Sequence, residues 1–254
     1  MMEDFELKPG ERLDDLQAGN LRIIQSDDMF SFSLDAVLLA HFAHVRSRDR
    51  VIDLGTGSGV IPLLLTAICK KGPREIVALE IQEHIAERAG RSVAGNGLSD
   101  TIRVVHGDLR QAARMFGTGT FDVVTCNPPY RPAGIGDASV MESIRIAKHE
   151  ITCTLQDVVE QSAKLVKSGG KVALVHRPDR LVDIFYEMRR NKLEPKRMRL
   201  IHPREHTNPH IVLIEAIKDG GKELRIEPPL FVHEADGSYT EEIRKMYGGE
   251  ILRL

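Results

Sequence analysis

Three glycines alternate with small polar residues in "VIDLGTGSGV", where Gly55, Thr56, Gly57 and Gly59 follow closely on Asp53. Glycine lets a backbone turn tightly and come close to a ligand, and a helix that starts just afterwards offers free N–H groups and a positive dipole end. Farther along, "VALEIQ" closes an apolar run on Glu80, "HGDL" closes another on Asp108, and "VVTCNPPYRP" closes a third on Asn127, Pro128, Pro129 and Tyr130. A carboxylate at Glu80 can bind both hydroxyls of a ribose. One at Asp108 can accept from the exocyclic amine of an adenine. Asn127 offers something else. Its amide oxygen and the Pro128 carbonyl, whose direction the ring of Pro129 fixes, are two acceptors held at one point.

Two acceptors suit a nitrogen that bears two hydrogens. Hydrogen bonds to both favour a more tetrahedral nitrogen and localise a lone pair that is delocalised in an aryl amine or an amide. Such catalysis is positioning plus preorganised electrostatics. Tyr130 adds a flat wall for a planar substrate such as a base. The electrophile beside an adenosine pocket is then a methyl group with a cationic leaving group, which is S-adenosylmethionine, and Tyr130 or Phe32 could face its sulfonium. No metal is needed.

Each feature has a plainer reading. A glycine turn can serve close packing alone, Asp108 can cap a short helix, and Asn-Pro-Pro can be a rigid strand exit. The loop lacks the third element of a dinucleotide fingerprint, since Val60 follows Gly59, and no Gly-Lys-Ser/Thr follows for a P-loop. His149 and Glu150 in "AKHE" suggest a general base, but a nitrogen that has received a methyl can lose its proton to water, so the plainer reading is that the pair orders the loop after Tyr130. "RPAGIGDAS", from Arg131 to Ser139, reads as a substrate loop.

Positioning these residues takes alternating strands and helices. "RVIDLG", "EIVALEI", "TIRVVHGD", "FDVVTCN" and "KVALVH" read as buried parallel strands. "SGVIPLLLTAICKKG", "QEHIAERAGRSVAGNG", "LQDVVEQSAKLVKSGG" and "DRLVDIFYEMRRN" read as the helices that cover them, with Gly72 and Gly97 closing the first two. "MRLIHP" and "HIVLIEAIKDG" have no helix between them and predict an antiparallel strand. The expected fold is α/β: a doubly wound, seven-stranded, mostly parallel, Rossmann-like sheet with one antiparallel strand near the C-terminus. Before it, "LQAGNLRIIQ" predicts a hairpin turning at Gly19-Asn20, and "SLDAVLLAHFA" a short apolar helix with Ser33 or Asp35 near its start. The expected division is residues 1–44 for hairpin and short helix, 45–217 for the sheet domain, and 218–254 for a polar extension packed on it.

The chain has 254 residues, 42% hydrophobic and 28% charged, enough for a folded core without staples. No apolar run reaches the roughly 18 residues of a membrane span. Three scattered cysteines without a C-x-x-C pair argue against a disulfide framework or zinc site and predict a reducing, cytoplasmic setting. The net charge of −2 is not that of a general nucleic-acid binder, yet seven Lys/Arg against two Glu lie between Arg189 and His206. Lys196, Arg197 and Arg199, with Tyr130 and Arg131, are the candidate substrate contacts there; a solvated face is the plainer reading. The oligomeric state is left open, with a monomer as the default.

Taken in order, "DLGTGSG", "LEI", "HGDL" and "NPPY" resemble the class I methyltransferases that methylate amines. "ERLDDL", "LRIIQ", "FSFSLDAVLLA", "IAKHE" and "PPLFVHEADGSYTEE" extend the resemblance, over most of the chain, to the bacterial tRNA adenine-N6 methyltransferases, which act on the anticodon-loop adenosine just 3′ of the anticodon of a valine tRNA. The resemblance implies that Asp53, Gly55, Thr56, Gly57 and Gly59 surround the cofactor's methionine part. It puts Glu80 on the ribose, and Ile81, Asp108 and Leu109 on the adenine. Ser33 and Asp35 would lie at the methionine end, and Asn127, Pro128, Pro129 and Tyr130 would hold the target amine, with Asn127 also bordering the cofactor. The same grip would serve a protein glutamine N5-methyltransferase, an rRNA guanine-N2 methyltransferase or a DNA adenine-N6 methyltransferase. The first is disfavoured by only about 50 residues before the first parallel strand, the last by a short tail with no room for a groove-reading domain. A non-catalytic RNA scaffold would be expected to have lost Asn127 or Pro128, and neither is lost.

Overall fold

A computed structural model describes residues 5–26, 33–128 and 153–248. Strands β3 (Arg50–Leu54), β4 (Glu75–Glu80), β5 (Ile102–His106), β6 (Phe121–Cys126) and β7 (Val166–His176) run parallel to one another, in the order β5-β4-β3-β6-β7. Strand β9 (Ile211–Lys218) pairs antiparallel with β7 and with β8 (Leu193–His202). These seven strands are the expected sheet with its one antiparallel member. Two-residue strands β10 (Arg225–Ile226) and β11 (Leu230–Phe231) add to the outer edge of β8, which brings the sheet to nine among the described residues.

Alternate residues of these strands feed two apolar layers, which is why they read as unbroken Val/Ile/Leu runs. Val51, Ile76, Ala78, Val123 and Val175 face the layer that holds the hairpin, α1 (Leu34–Phe42) and α2 (Val60–Ile68). Ile52, Leu54, Val77, Val124 and Leu174 face the layer of α4 (Ala112–Phe116), α5 (Leu155–Leu165) and α6 (Leu181–Arg190) once α3 (Glu83–Gly95) is counted with the first. Helix α3 ends on Asn96 and Gly97: the Leu98 N–H reaches the Val93 carbonyl and the Gly97 N–H, at φ 67°, the Ala94 carbonyl.

Two boundaries differ from the sequence reading. The helix expected through "KLVKSGG" stops at Leu165, and Val166 is already in β7, opposite Phe121 across an irregular register. Gly169, at φ 76°, favours a strand irregularity over a last helical turn. The hairpin also starts earlier: β1 (Glu11–Asp15) pairs with β2 (Arg22–Ser26), while Gly19 and Asn20 make the turn with φ near 60° as expected. The polar C-terminal segment yields the seven-residue helix α7 (Glu241–Tyr247), which buries Ile243 and Met246.

The hairpin is bolted to α3. Glu11 accepts from Arg91 at 2.7 Å twice and from Arg88 at 3.1 Å, while Ser92 Oγ and Asn96 Oδ1 accept from the Ile24 and Arg22 amides. That places Gln25, buried on β2, where its amide donates to Ser58 Oγ in the glycine loop at 3.3 Å.

Candidate functional site

Strand order reverses direction at β3, with β4 and β5 on one side and β6 and β7 on the other. In an open α/β sheet such a switch point leaves a crevice at the carboxyl ends of the strands, where ligands bind. The glycine loop leaves β3 at that crevice, and Asn127 and Pro128 leave β6 on its other side, one residue past the Leu54–Cys126 pairing.

The loop is held from below. The Leu79 carbonyl accepts from both the Gly55 and Thr56 amides at 2.9 Å. Gly55, Gly57 and Gly59 have φ of 70°, 56° and 89°, which disfavours any side chain there. Among the described residues, a Cβ on Gly55 or Gly57 would meet nothing within 4 Å, so the backbone there borders an open cradle. Glu80, 6% exposed, accepts from the Gly57 amide at 2.9 Å through one oxygen and from the Gln82 amide at 3.0 Å through the other. A carboxylate so fixed has lone pairs left for hydroxyl donors. Asp108 caps the short turn Leu109–Gln111 through the Arg110 amide and is gripped by the Arg110 guanidinium, which holds its carboxyl below the usual range. The capping reading of Asp108 is therefore met, and its ionised form remains an acceptor. Ile81 lies between Glu80 and α3, its carbonyl bonded to His106, and Leu109 packs on the second apolar layer.

Asp53 is strongly perturbed. Burial, with a smaller push from Glu80, raises its carboxyl to about 7, against the nearby hydroxyls of Thr125 and Thr56, which favour the anion. Oδ1 accepts from the Thr125 hydroxyl at 2.7 Å. The Thr56 hydroxyl lies close enough to act on the same carboxyl, but among the described residues neither it nor Oδ2 makes a hydrogen bond of ordinary geometry. Unmet buried polar atoms beside an open glycine cradle, with acids beyond, fit a polar adenosine ligand of the S-adenosylmethionine kind. Burial pushes the neighbouring Cys126 thiol well up, which leaves it inert as a nucleophile.

Ser33 is the N-cap residue of α1, in extended conformation and without a side-chain cap bond, and Asp35 sits in the first turn. Phe32, Pro129, Tyr130, Arg131, the segment through Ser139, His149 and Glu150 lie outside the described residues. Sequence reasoning passed over Thr125 and Gln25. A threonine inside "VVTC" and a glutamine closing "LRIIQ" were the available signals, each a polar residue ending an apolar run. His176, which closes β7 on the same edge, was also missed; it is 3% exposed, and its Nδ1 accepts from the Arg177 amide.

Within the basic stretch, the three candidate contacts are engaged by groups of the chain itself. Arg197 and Arg199 alternate onto one face of β8 and turn inward. Arg197 donates to Glu227 at 2.7 Å and Glu215 at 3.1 Å and also contacts His44; Arg199 donates to Glu242 through both nitrogens and to the Pro228 carbonyl. Their side chains are 14% and 7% exposed. Lys196 Nζ sits on the carbonyls of Gly221 and Lys222, at the sheet edge opposite the crevice. Arg197 and Arg199 thus staple the C-terminal segment to the sheet, whereas Lys196 stays partly exposed.

Among the described residues, no group of His, Cys, Asp and Glu could hold a metal ion, and no helix is long and apolar enough to cross a membrane.

Known proteins are similar to this chain. A relative from Tolumonas auensis, named tRNA1(Val) (adenine(37)-N6)-methyltransferase, is 26% identical over 230 residues, covering 87% of this chain and 89% of its own length. One of the same name from Photobacterium profundum is 28% identical over 143 residues, and that match spans 56% of this chain and 59% of the relative. The solved structure of a predicted O-methyltransferase from Agrobacterium tumefaciens is 26% identical with a TM-score of 0.68, covering 85% of this chain and 97% of that one. The methyltransferase small domain family matches residues 20–182, more than half of the sequence, and the chain belongs to that family.

Proposed function

We propose that this protein transfers a methyl group from S-adenosylmethionine to the exocyclic N6 amine of an adenosine in tRNA, in the anticodon loop of a valine tRNA. The observation that carries the reading is the place of Asn127 and Pro128: the end of β6, across the switch point from the glycine loop of β3. The names of the curated relatives support the choice of tRNA adenine over glutamine, guanine or DNA.

Bound there, S-adenosylmethionine supplies a methyl group on a sulfonium. Asp53, Gly55, Thr56, Gly57 and Gly59 would hold its methionine part together with Ser33 and Asp35. Glu80 would take the ribose, and Ile81, Asp108 and Leu109 the adenine. Asn127 Oδ1 and the Pro128 carbonyl accept the two N–H bonds of the target amine and direct its lone pair, while Pro129 and Tyr130 complete the grip and the stacking wall. The proton released after transfer goes to water. Asn127→Ala removes one acceptor and leaves the glycine loop intact, so methyl transfer to tRNA falls by about 100-fold or more, and calorimetry finds cofactor binding largely kept. Wild-type turnover in this variant rejects the acceptor pair.

A further inference from the structure

Thr125 joins two pieces of the site that are far apart in sequence. It is the direct partner of Asp53 in the β3–β6 register, two residues before Asn127, while Asp53 is two residues before Gly55. Its hydroxyl donates to Asp53 Oδ1 at 2.7 Å, and the two residues are 0% and 1% exposed. Valine has the same shape and occupies the two preceding positions, Val123 and Val124, so packing alone does not call for a hydroxyl. A buried hydroxyl is unfavourable unless bonded, and this one bonds to the carboxylate under the glycine loop.

We propose that Thr125 is a positioning residue of the transferase site: through Asp53 its hydroxyl locks the glycine loop to the turn that presents Asn127. The assignment rests on the proposed role of Asn127 in methyl transfer. With Oδ1 held by Thr125, the Asp53 carboxyl is oriented beside the Thr56 hydroxyl of the glycine loop. The same bond pins the end of β6 to the end of β3, so the amine acceptors are held in register with the methyl donor's loop. Among the described residues, the other titratable groups that act on Asp53 or feel it are Glu80, from β4, and Cys126, its neighbour on β6.

The test uses the full-length protein and four variants, Thr125→Val, Thr125→Ser, Asp53→Asn and the double Asp53→Asn/Thr125→Val, with Asn127→Ala as reference. S-adenosylhomocysteine binding is measured by calorimetry between pH 5.5 and 8.5, and single-turnover methylation of tRNA gives the transfer rate. Thr125→Val is expected to weaken binding about tenfold at pH 8, to move the pH dependence of binding upward, and to slow transfer. Thr125→Ser, which keeps the hydroxyl, restores all three. In the Asp53→Asn background Thr125→Val adds little to the loss of binding, because the pair acts as one unit. Wild-type binding, pH dependence and transfer in Thr125→Val overturn the inference, and so does a Thr125→Ser variant as impaired as Thr125→Val. Either result leaves the Asn127 reading standing if Asn127→Ala still loses transfer; full transfer by Asn127→Ala defeats that reading instead.

Discussion

Burial keeps the Asp53 carboxyl protonated up to about pH 7, whereas an unfolded chain ionises it near the ordinary 3.8. The folded form therefore holds the proton across that interval. The stability this group contributes is whole below 3.8 and is lost as pH rises towards 7, by up to about 4 kcal/mol. Asp53→Asn removes this titration. The variant is expected to match the wild type near pH 4 and to be the more stable above pH 7, while binding cofactor less well, the usual exchange of stability for function. Urea unfolding at pH 5 and pH 8 checks it; a variant less stable than wild type at pH 8 contradicts the assigned cost. At this scale the sequence was informative wherever a residue type is rare in its place, as with three glycines in ten residues or Asn-Pro-Pro after a Val run. Thr125 was harder to see, because its meaning depends on which strand lies beside β6, and only the sheet order supplies Asp53 as its partner.

Elements were legible where local chemistry ends them. The turn at Gly19-Asn20 and the stop at Gly97 follow from backbone freedom at positive φ. The start of α5 follows from the reciprocal Thr154–Asp157 capping box. The overrun of that helix into Val166 came from period alone, which cannot register that Val166 has Phe121 as a strand partner. How the hairpin docks was also hidden, because Glu11, Arg88 and Arg91 meet only in the fold. Arg91, with the Lys8 amide and Arg88, holds the Glu11 carboxyl down to about 2 from 4.5, so its contribution is present above 4.5 and lost as pH falls towards 2. Glu11→Gln leaves two arginines against a neutral amide. We expect a loss of about 2–4 kcal/mol, at the scale of breaking a buried pair, with faster hydrogen exchange in Arg22–Ser26 and unchanged exchange in β3. Equal slowing or quickening in both would mean that the ion pairs do not act on the hairpin.

The whole molecule shows why charge read along a sequence can mislead. Seven cations between Arg189 and His206 suggested a phosphate surface, but the strand's two-residue period sends Arg197 and Arg199 inward, onto Glu215, Glu227 and Glu242. Those acids lie later in the chain and are invisible to any local window. Arg199→Ala is thus predicted to lower stability by about 2–3 kcal/mol, as the Glu242 and Pro228 partners are lost, with the KM for tRNA unchanged; a raised KM at full stability would return Arg199 to the substrate. The class of chemistry was legible because its motifs all fall at the carboxyl ends of neighbouring strands, an arrangement the alternating pattern already required. The identity of the acceptor is a property of the substrate surface and is tested on the substrate. The most direct measurement incubates the protein with methyl-labelled S-adenosylmethionine and total tRNA, digests the RNA and identifies the labelled nucleoside by mass and chromatography. N6-methyladenosine is the predicted product. N2-methylguanosine, or label found only in protein, would contradict the account.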